Sequence, residues 1–377
     1  MRVRHQNGQG GSLAHKAFKA REKSASAVRG RQKLAVRVGP VWIGGGADIS
    51  IQSMTNTDTK DVEATVAQIK ALEAAGCDIA RVSVYDSACA NAVGAIKART
   101  SIPLVADIHF DHKLAIQAIE NGVDKVRINP GNIGAKKEIA ALAACLKMHN
   151  TPVRIGVNAG SLESDLIKEH GRPTPRAMAD SALRHVALLE LHGYNNIVLS
   201  MKASNVADTV AAYRLMHGQT AYPLHVGVTE AGFGELAVMK SAIGIGALLL
   251  DGIGDTIRVS ITGDPVQEVR IAKEILRAVG LRREGVEFIS CPTCARCGVE
   301  LEAIVKHLRE HLPQTGKSLT VAVMGCAVNG PGEAREADIG IAFGKGNGVL
   351  FKRGAQFASG GAQQMINLLV SEARAML

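Results

Sequence analysis

Three of the chain's seven cysteines lie within the stretch CPTCARC (291–297), and a fourth, Cys326, follows in MGCAVNGPGE. Thiols this close hold soft metal ions, run dithiol redox chemistry or bind an iron–sulfur cluster. Zinc asks for four Cys or His ligands, which the CxxC, Cys326 and the i, i+4 pair His307 and His311 could supply. A redox dithiol asks for a thioredoxin-like order of elements, and none surrounds this CxxC. A cluster asks for soft thiolates, some close and some distant, and ligand softness and spacing favour it over zinc. Extended to Cys297, the stretch also has the C-x2-C-x2-C spacing of bacterial ferredoxins. Cys77, Cys89 and Cys145 sit in strand or helix patterns and read as buried structural thiols. An odd cysteine count without an export signal argues against a disulfide framework.

A second group of residues could recognise an anion. Arg81, Arg127, Arg154, Lys202 and Arg258 each lie within or at the end of an otherwise apolar strand pattern. A buried guanidinium is costly unless paired, and Asp107 and Glu230 are the acids within reach of such pairing. If the five cations share one opening, they form a cup suited to a polyanion, and arginine forks suit phosphate oxygens. Asn129 and Asn132 flank a Gly-rich turn in RINPGNIG whose amides could hold phosphate, and Asn158 ends the next strand pattern in GVNAGSL. His109, in ADIHFDH, is either a donor or a core histidine. No serine-hydrolase or Walker motif occurs.

The elements that must position these residues alternate. Strand patterns over 49–55, 79–84, 103–110, 125–130, 153–160, 197–203, 223–230 and 256–262 are each followed by a helical one. Gly76, Gly193 and Gly280 stand where helix C-terminal glycines are expected. Strands alternating with helices pair in parallel through right-handed crossovers. Eight such units predict an α/β fold of the (β/α)8 TIM-barrel type, with the active site at the C-terminal strand ends. An open doubly wound sheet is less favoured, because no GxGxxG follows the first strand. After Gly280 the rhythm changes to a small α+β domain of about 90 residues: a strand into CPTC, a helix, the strand before Cys326, two further short strands and a final helix. The expected division is a tail over 1–33, a barrel over 34–283 and an iron–sulfur domain over 284–377.

Composition narrows the function. The chain has 377 residues, 46% of them hydrophobic, enough for more than one core. It contains no apolar run of ~20 residues, so no membrane span is expected. Residues 1–33 are basic and Gly/Ser-rich, carry one acid, Glu22, and lack an apolar secretory core; they read as a disordered tail. That tail supplies most of the net charge of +9, so the charge is no sign of nucleic-acid binding. Aromatics at 3% also argue against a base-stacking platform.

CPTCAR and GCAVNGPGE, together with QSMTNTDT, RINPGN and GVNAGSL in the barrel half, resemble the 4-hydroxy-3-methylbut-2-enyl diphosphate synthase family. The resemblance covers residues 34 to 377. It implies one [4Fe-4S] cluster per subunit, held by Cys291, Cys294, Cys326 and Glu333. It implies reductive opening of 2-C-methyl-D-erythritol 2,4-cyclodiphosphate, with electrons from flavodoxin or ferredoxin. By this resemblance Glu230, Asn329 and Glu333 are the catalytic residues: Glu230 gives a proton to the departing hydroxyl, and Asn329 orients substrate or Glu333. Arg81, Asp107, Arg127, Arg154, Asn158, Lys202 and Arg258 are the expected substrate contacts. A cytoplasmic homodimer is implied, with one subunit's cluster domain over its partner's barrel. Cys297 departs from the family pattern. A four-cysteine set of Cys291, Cys294, Cys297 and Cys326 is the alternative it raises, but that set leaves the NGPGE loop without a role. A zinc-stabilised phosphosugar lyase or aldolase, with Lys202 as Schiff-base lysine, is the rival reading. An iron-sensing or RNA-binding protein is a third, disfavoured by the composition.

Overall fold

The computed structural model describes residues 33–129, 133, 136–313, 316–344 and 346–377. The basic tail, up to residue 32, and Asn132 lie outside the described residues. The chain divides into two compact units, one running up to Leu281 and the other comprising Arg282–Leu377.

The first unit opens with a hairpin the sequence reading did not anticipate, β1 (Val36–Val38) and β2 (Val41–Ile43). Its Val36, Val38 and Ile43 pack under Ile79, Val105 and Val198. Eight parallel strands follow: β3 (Ser50–Met54), β4 (Ile79–Ser83), β5 (Leu104–Ile108), β6 (Lys125–Ile128), β7 (Val153–Asn158), β8 (Ile197–Lys202), β9 (His225–Val226) and β10 (Thr256–Ile257). β10 pairs with both β3 and β9, and a parallel Leu199–Leu224 bridge joins β8 to the β9 side, which closes the barrel.

The helices between the strands are α1 (Val62–Ala74), α2 (Ser87–Lys97), α3 (His112–Glu120), α4 (Lys136–His149), α5 (Ser164–His170), α6 (Pro175–Leu191), α7 (Val206–Gln219), α8 (Gly234–Leu250) and α9 (Pro265–Ala278). Most start where the loop supplies a short polar side chain. Asp61, Asp86, Asp111, Thr174, Asn205 and Asp264 each accept a first-turn amide, worth about 1 kcal/mol apiece. Gly76, Gly193 and Gly280 all take positive φ at helix ends, as their spacing suggested.

The seventh and eighth strands are shorter than the 223–230 and 256–262 patterns. After β9 the backbone leaves the pleat through Glu230 and Gly232, both at positive φ, and after β10 Gly263 does the same.

The second unit is one mixed sheet with helices: β11 (Gly285–Ser290), α10 (Leu301–His311), β12 (Ser318–Met324), α11 (Gly330–Glu336), β13 (Ile339–Phe343), β14 (Asn347–Lys352), β15 (Ala355–Gly361) and α12 (Ala362–Met376). β11 to β13 run parallel, and β13 to β15 antiparallel. α12 turns Met365, Ile366, Leu369 and Ala373 into the core, the i, i+4, i+8 stripe of an amphipathic helix. Two features correct the sequence reading. β15, AQFASGG, is a largely exposed edge strand without the apolar alternation that marks a strand. NGPGE is not a free loop: it starts α11, with Pro331 in the first turn, where its fixed φ is pre-set for a helix.

Candidate active site: a cationic barrel interior and a thiolate loop

Side chains alternate along a strand. Ala80, Ala106, Val126, Ile155, Leu199 and Ile257 face the helices. Arg81, Asp107, Arg127, Arg154, Lys202 and Arg258, at odd spacing from them, therefore face the barrel interior. All are buried except Arg258, whose side chain is 16% exposed.

The structure sorts these cations. Asp107 accepts from Arg127 Nη1 at 3.0 Å and lies 3.7 Å from Arg81 Nε. Arg127 also reaches the Gly156 carbonyl at 3.0 Å and His109 Nε2 at 2.7 Å. Gly156 is required here, because a Cβ would sit 2.4 Å from Arg127 Nε. Asn158, at the end of β7, turns its amide oxygen to Arg127 Nη2 at 3.2 Å. Arg258 pairs with Glu268 on α9 at 3.4 Å, and Glu268 also accepts from Ser53 Oγ at 2.9 Å. Among the described residues Arg154 donates only to Ser200 Oγ, at 2.8 Å, and its Nε and Nη2 have no partner. Lys202 has no hydrogen-bond or ion partner among the described residues.

Charge follows geometry. Burial alone would raise the Asp107 carboxyl, but Arg81, His109, Arg127 and Arg154 together hold it well below the usual carboxylate range. Burial, then Arg154, Arg258, Arg81 and Arg127, hold the Lys202 amine well below its ordinary value. Burial, then Arg81 and Arg127, penalise the charge on Arg154, with Asp107 opposing. Arg81 and Arg127 thus share the Asp107 carboxylate and Arg258 has Glu268, while Arg154 and Lys202 have no carboxylate partner among the described residues.

Glu230 was expected both as a possible ion-pair partner and as an acid in a closed pocket. It is exposed and makes no ion pair among the described residues. The acid that serves Arg258 is Glu268, which the sequence reading missed because it lies on a helix. Glu230 instead holds φ 51°, a left-handed conformation costly for a non-glycine residue. Two further interior residues were missed, Lys125 and His225, both fully buried. Among the described residues Lys125 Nζ meets only Gln52 Oε1, at 3.4 Å. Its signal was legible: it stands two residues before Arg127 and so shares its face.

In the second unit Cys291 and Cys297 lie close to Gly325, where β11 and β12 end. The Gly325 amide donates to Cys291 Sγ at 3.3 Å. A Cβ at 325 would lie 2.3 Å from Cys297 Sγ and 3.6 Å from Cys291 Sγ, so glycine leaves the room these sulfurs occupy. The backbone amides of Val328, Asn329 and Gly330, with Arg296, lower the Cys326 thiol against a smaller effect of burial. Cys294 is exposed, and its carbonyl accepts the Cys297 amide at 2.8 Å. Cys297 Sγ donates to the Val299 carbonyl at 3.3 Å and packs at the edge of the second core. Asn329 and Glu333 are exposed, and Glu333 sits in the first turn of α11. Soft sulfur donors with amides aimed at them fit an iron–sulfur group. Among the described residues no three His, Cys, Asp or Glu converge on a point that would hold one metal ion. His307 and His311 stack on each other at 4.0 Å and assemble no zinc set with the cysteines among the described residues.

A family model described as the GcpE TIM-barrel domain matches residues 33–273, and one described as the GcpE protein C-terminal domain matches 287–375. The chain belongs to the GcpE family. Curated relatives named 4-hydroxy-3-methylbut-2-en-1-yl diphosphate synthase (flavodoxin) align with this GcpE chain over nearly their full length. The Clostridium perfringens protein is 57% identical over 85% of this chain and 91% of its own. That of Geobacter sulfurreducens is 52% identical over 91% and 97%, and that of Thermodesulfovibrio yellowstonii 52% over 92% and 99%.

Proposed function

We propose that this chain is an iron–sulfur oxidoreductase that takes up two electrons and protons to open 2-C-methyl-D-erythritol 2,4-cyclodiphosphate. The products are (E)-4-hydroxy-3-methylbut-2-enyl diphosphate and water, and flavodoxin is the electron donor. The observation that carries the reading is that both halves of the chain match GcpE family models. The barrel interior agrees with it: Arg154 and Lys202 are buried basic side chains without carboxylate partners among the described residues, an arrangement that favours a bound diphosphate.

In this reading residues 34–283 bind substrate and 284–377 hold one [4Fe-4S] cluster per subunit. Cys291, Cys294, Cys326 and Glu333 are its ligands, and the cluster, when bound, supplies the two electrons. A carboxylate is a harder and more exchangeable ligand than a thiolate, so Glu333 would hold its iron more loosely than the three cysteines hold theirs. Arg154 and Lys202 hold the diphosphate directly. Arg81, Arg127 and Arg258 shape the cup and keep it positive, with Asp107 and Asn158 fixing Arg127. Glu230 gives a proton to the departing hydroxyl, and Asn329, exposed three residues after Cys326, orients the substrate or Glu333. The working enzyme is a cytoplasmic homodimer. No helix among the described residues is long and apolar enough to cross a membrane.

The test is an anaerobic assay of the purified, iron-loaded chain with reduced flavodoxin and the cyclic diphosphate. The linear allylic diphosphate should appear with two electrons consumed per product. A colourless protein that binds zinc and cleaves a phosphosugar instead would establish the rival reading.

A further inference from the structure

Beneath the cationic cup the barrel carries a second polar layer that the proposed chemistry does not use. Ile51, Val126, Val226 and Ile257 face the helices. Ser50, Gln52, Lys125, His225 and Thr256 stand one residue before or after them and so face the interior. All five are buried. Lys125 Nζ donates across the lumen, from β6 to Gln52 Oε1 on β3, at 3.4 Å. Thr256 on β10 pairs with both Ser50 and His225, which sets those three residues at one level. Arg154 is close enough to act electrostatically on both Lys125 and His225. Below this layer the floor is apolar, where Ile79, Val105 and Val198 rest on the β1–β2 hairpin.

The hydrogen-bonding capacity of the layer points to its occupant. Among the described residues Ser50 Oγ, Gln52 Nε2, both ring nitrogens of His225, and Arg154 Nε and Nη2 have no partner. Buried polar groups rarely stay unpaired in a folded protein. Gln52 Nε2, the two Arg154 nitrogens and a Lys125 ammonium can only donate, and the Ser50 hydroxyl and the His225 imidazole can donate too. A water molecule among them would need acceptors for its own two hydrogens. The interior carboxylate, Asp107, is already taken by Arg127 and Arg81. A small anion accepts from every side and donates nothing. It also favours the charged form of Lys125, which burial first, then Arg154 and Arg81, hold well below its ordinary value.

We infer that the barrel binds a small monovalent inorganic anion of halide size among Gln52, Lys125, Arg154 and His225, at a site beneath the diphosphate and separate from it. The test begins with crystals of the iron-loaded full chain grown in bromide, with the cyclic diphosphate present and no electron donor, so that the cup is filled without turnover. An anomalous bromide peak should stand in contact with Lys125 Nζ and Gln52 Nε2. In solution at fixed ionic strength, sodium chloride or bromide should raise the unfolding temperature above that in sodium gluconate, whose anion is too large to enter. Lys125→Met should weaken halide affinity, read from the concentration dependence of that rise, at least about tenfold through loss of one charge-assisted contact. Lys202→Met should keep the rise, because Lys202 belongs to the cup above. If Lys125→Met fails to fold, Gln52→Leu gives the same readout, and the bromide peak in the unaltered chain needs no variant. Failure of the cyclic diphosphate to bind would remove the substrate reading, while the peak and the Lys125→Met comparison would still decide this site. Water in place of bromide, or a halide effect that Lys125→Met leaves unchanged, would overturn it. A bromide peak that disappears when the cyclic diphosphate is added would merge the site with the cup and overturn it as well.

Discussion

Arg127 Nη1 lies 3.0 Å from Asp107 Oδ1, and both side chains are 5% exposed. Asp107 also faces Arg81, so one carboxylate compensates two guanidiniums that cannot shed their charge. Breaking a buried pair from one side typically costs about 3–5 kcal/mol. Asp107→Asn should therefore destabilise the apoenzyme by an amount in that range, read from urea unfolding. Diphosphate should restore part of it, because the anion replaces the lost charge. Stability equal to wild type would mean that the two arginines do not depend on Asp107.

Lys202 gives the cup a pH signature. Its folded amine titrates well below the ordinary 10.5, and a bound diphosphate favours the charged form and raises it. Binding at a pH below the ordinary 10.5 but above the lowered folded value should then take up a proton, and affinity should fall as pH rises. Calorimetry in two buffers of different ionisation enthalpy measures that uptake, which Lys202→Met should abolish. The unfolded chain binds more protons in the window between the lowered folded value and the ordinary 10.5, so the apoenzyme should gain stability as pH rises through that window. Arg154→Ala should weaken binding by at least about tenfold, the loss of one charge-assisted contact, with iron content unchanged. Proton uptake identical in Lys202→Met would assign it elsewhere.

Glu230 separates strain from chemistry. Its left-handed backbone costs about 1–2 kcal/mol that glycine would not incur. Glu230→Gly should raise the unfolding free energy and lose turnover. Glu230→Gln should keep the strain, substrate affinity and cluster, and also lose turnover. Normal turnover in the Gln variant would rule out the proton-donor role.

Cys297 and Glu333 make opposite predictions for the cluster. Cys297 Sγ is engaged by the Val299 carbonyl, so Cys297→Ser should keep four irons and near-normal turnover. Glu333→Ala should lose activity and change the electron paramagnetic resonance spectrum of the reduced protein. Cluster loss in Cys297→Ser with Glu333→Ala unaffected would make this a four-cysteine, ferredoxin-like site.

The alternation of strand and helix patterns was enough for the barrel, because period 2 and period 3.6 are local properties that burial on one face imposes. The helix starts were legible for the same reason: a capping Asp, Thr or Asn acts on amides two or three residues away. The long motifs around Cys291 and Cys326 were likewise readable. What the sequence could not assign was which charge meets which. Glu268 is ten residues from Arg258 on a different element, and only the packing of α9 under β3 and β10 brings them together. The sorting of five similar cations into three paired and two available, Arg154 and Lys202, depends on distances across the barrel between strands far apart in the chain. The helical start of NGPGE and the edge strand β15 were set the same way, by the neighbours each segment packs against and pairs with, because their own residues prefer neither structure strongly.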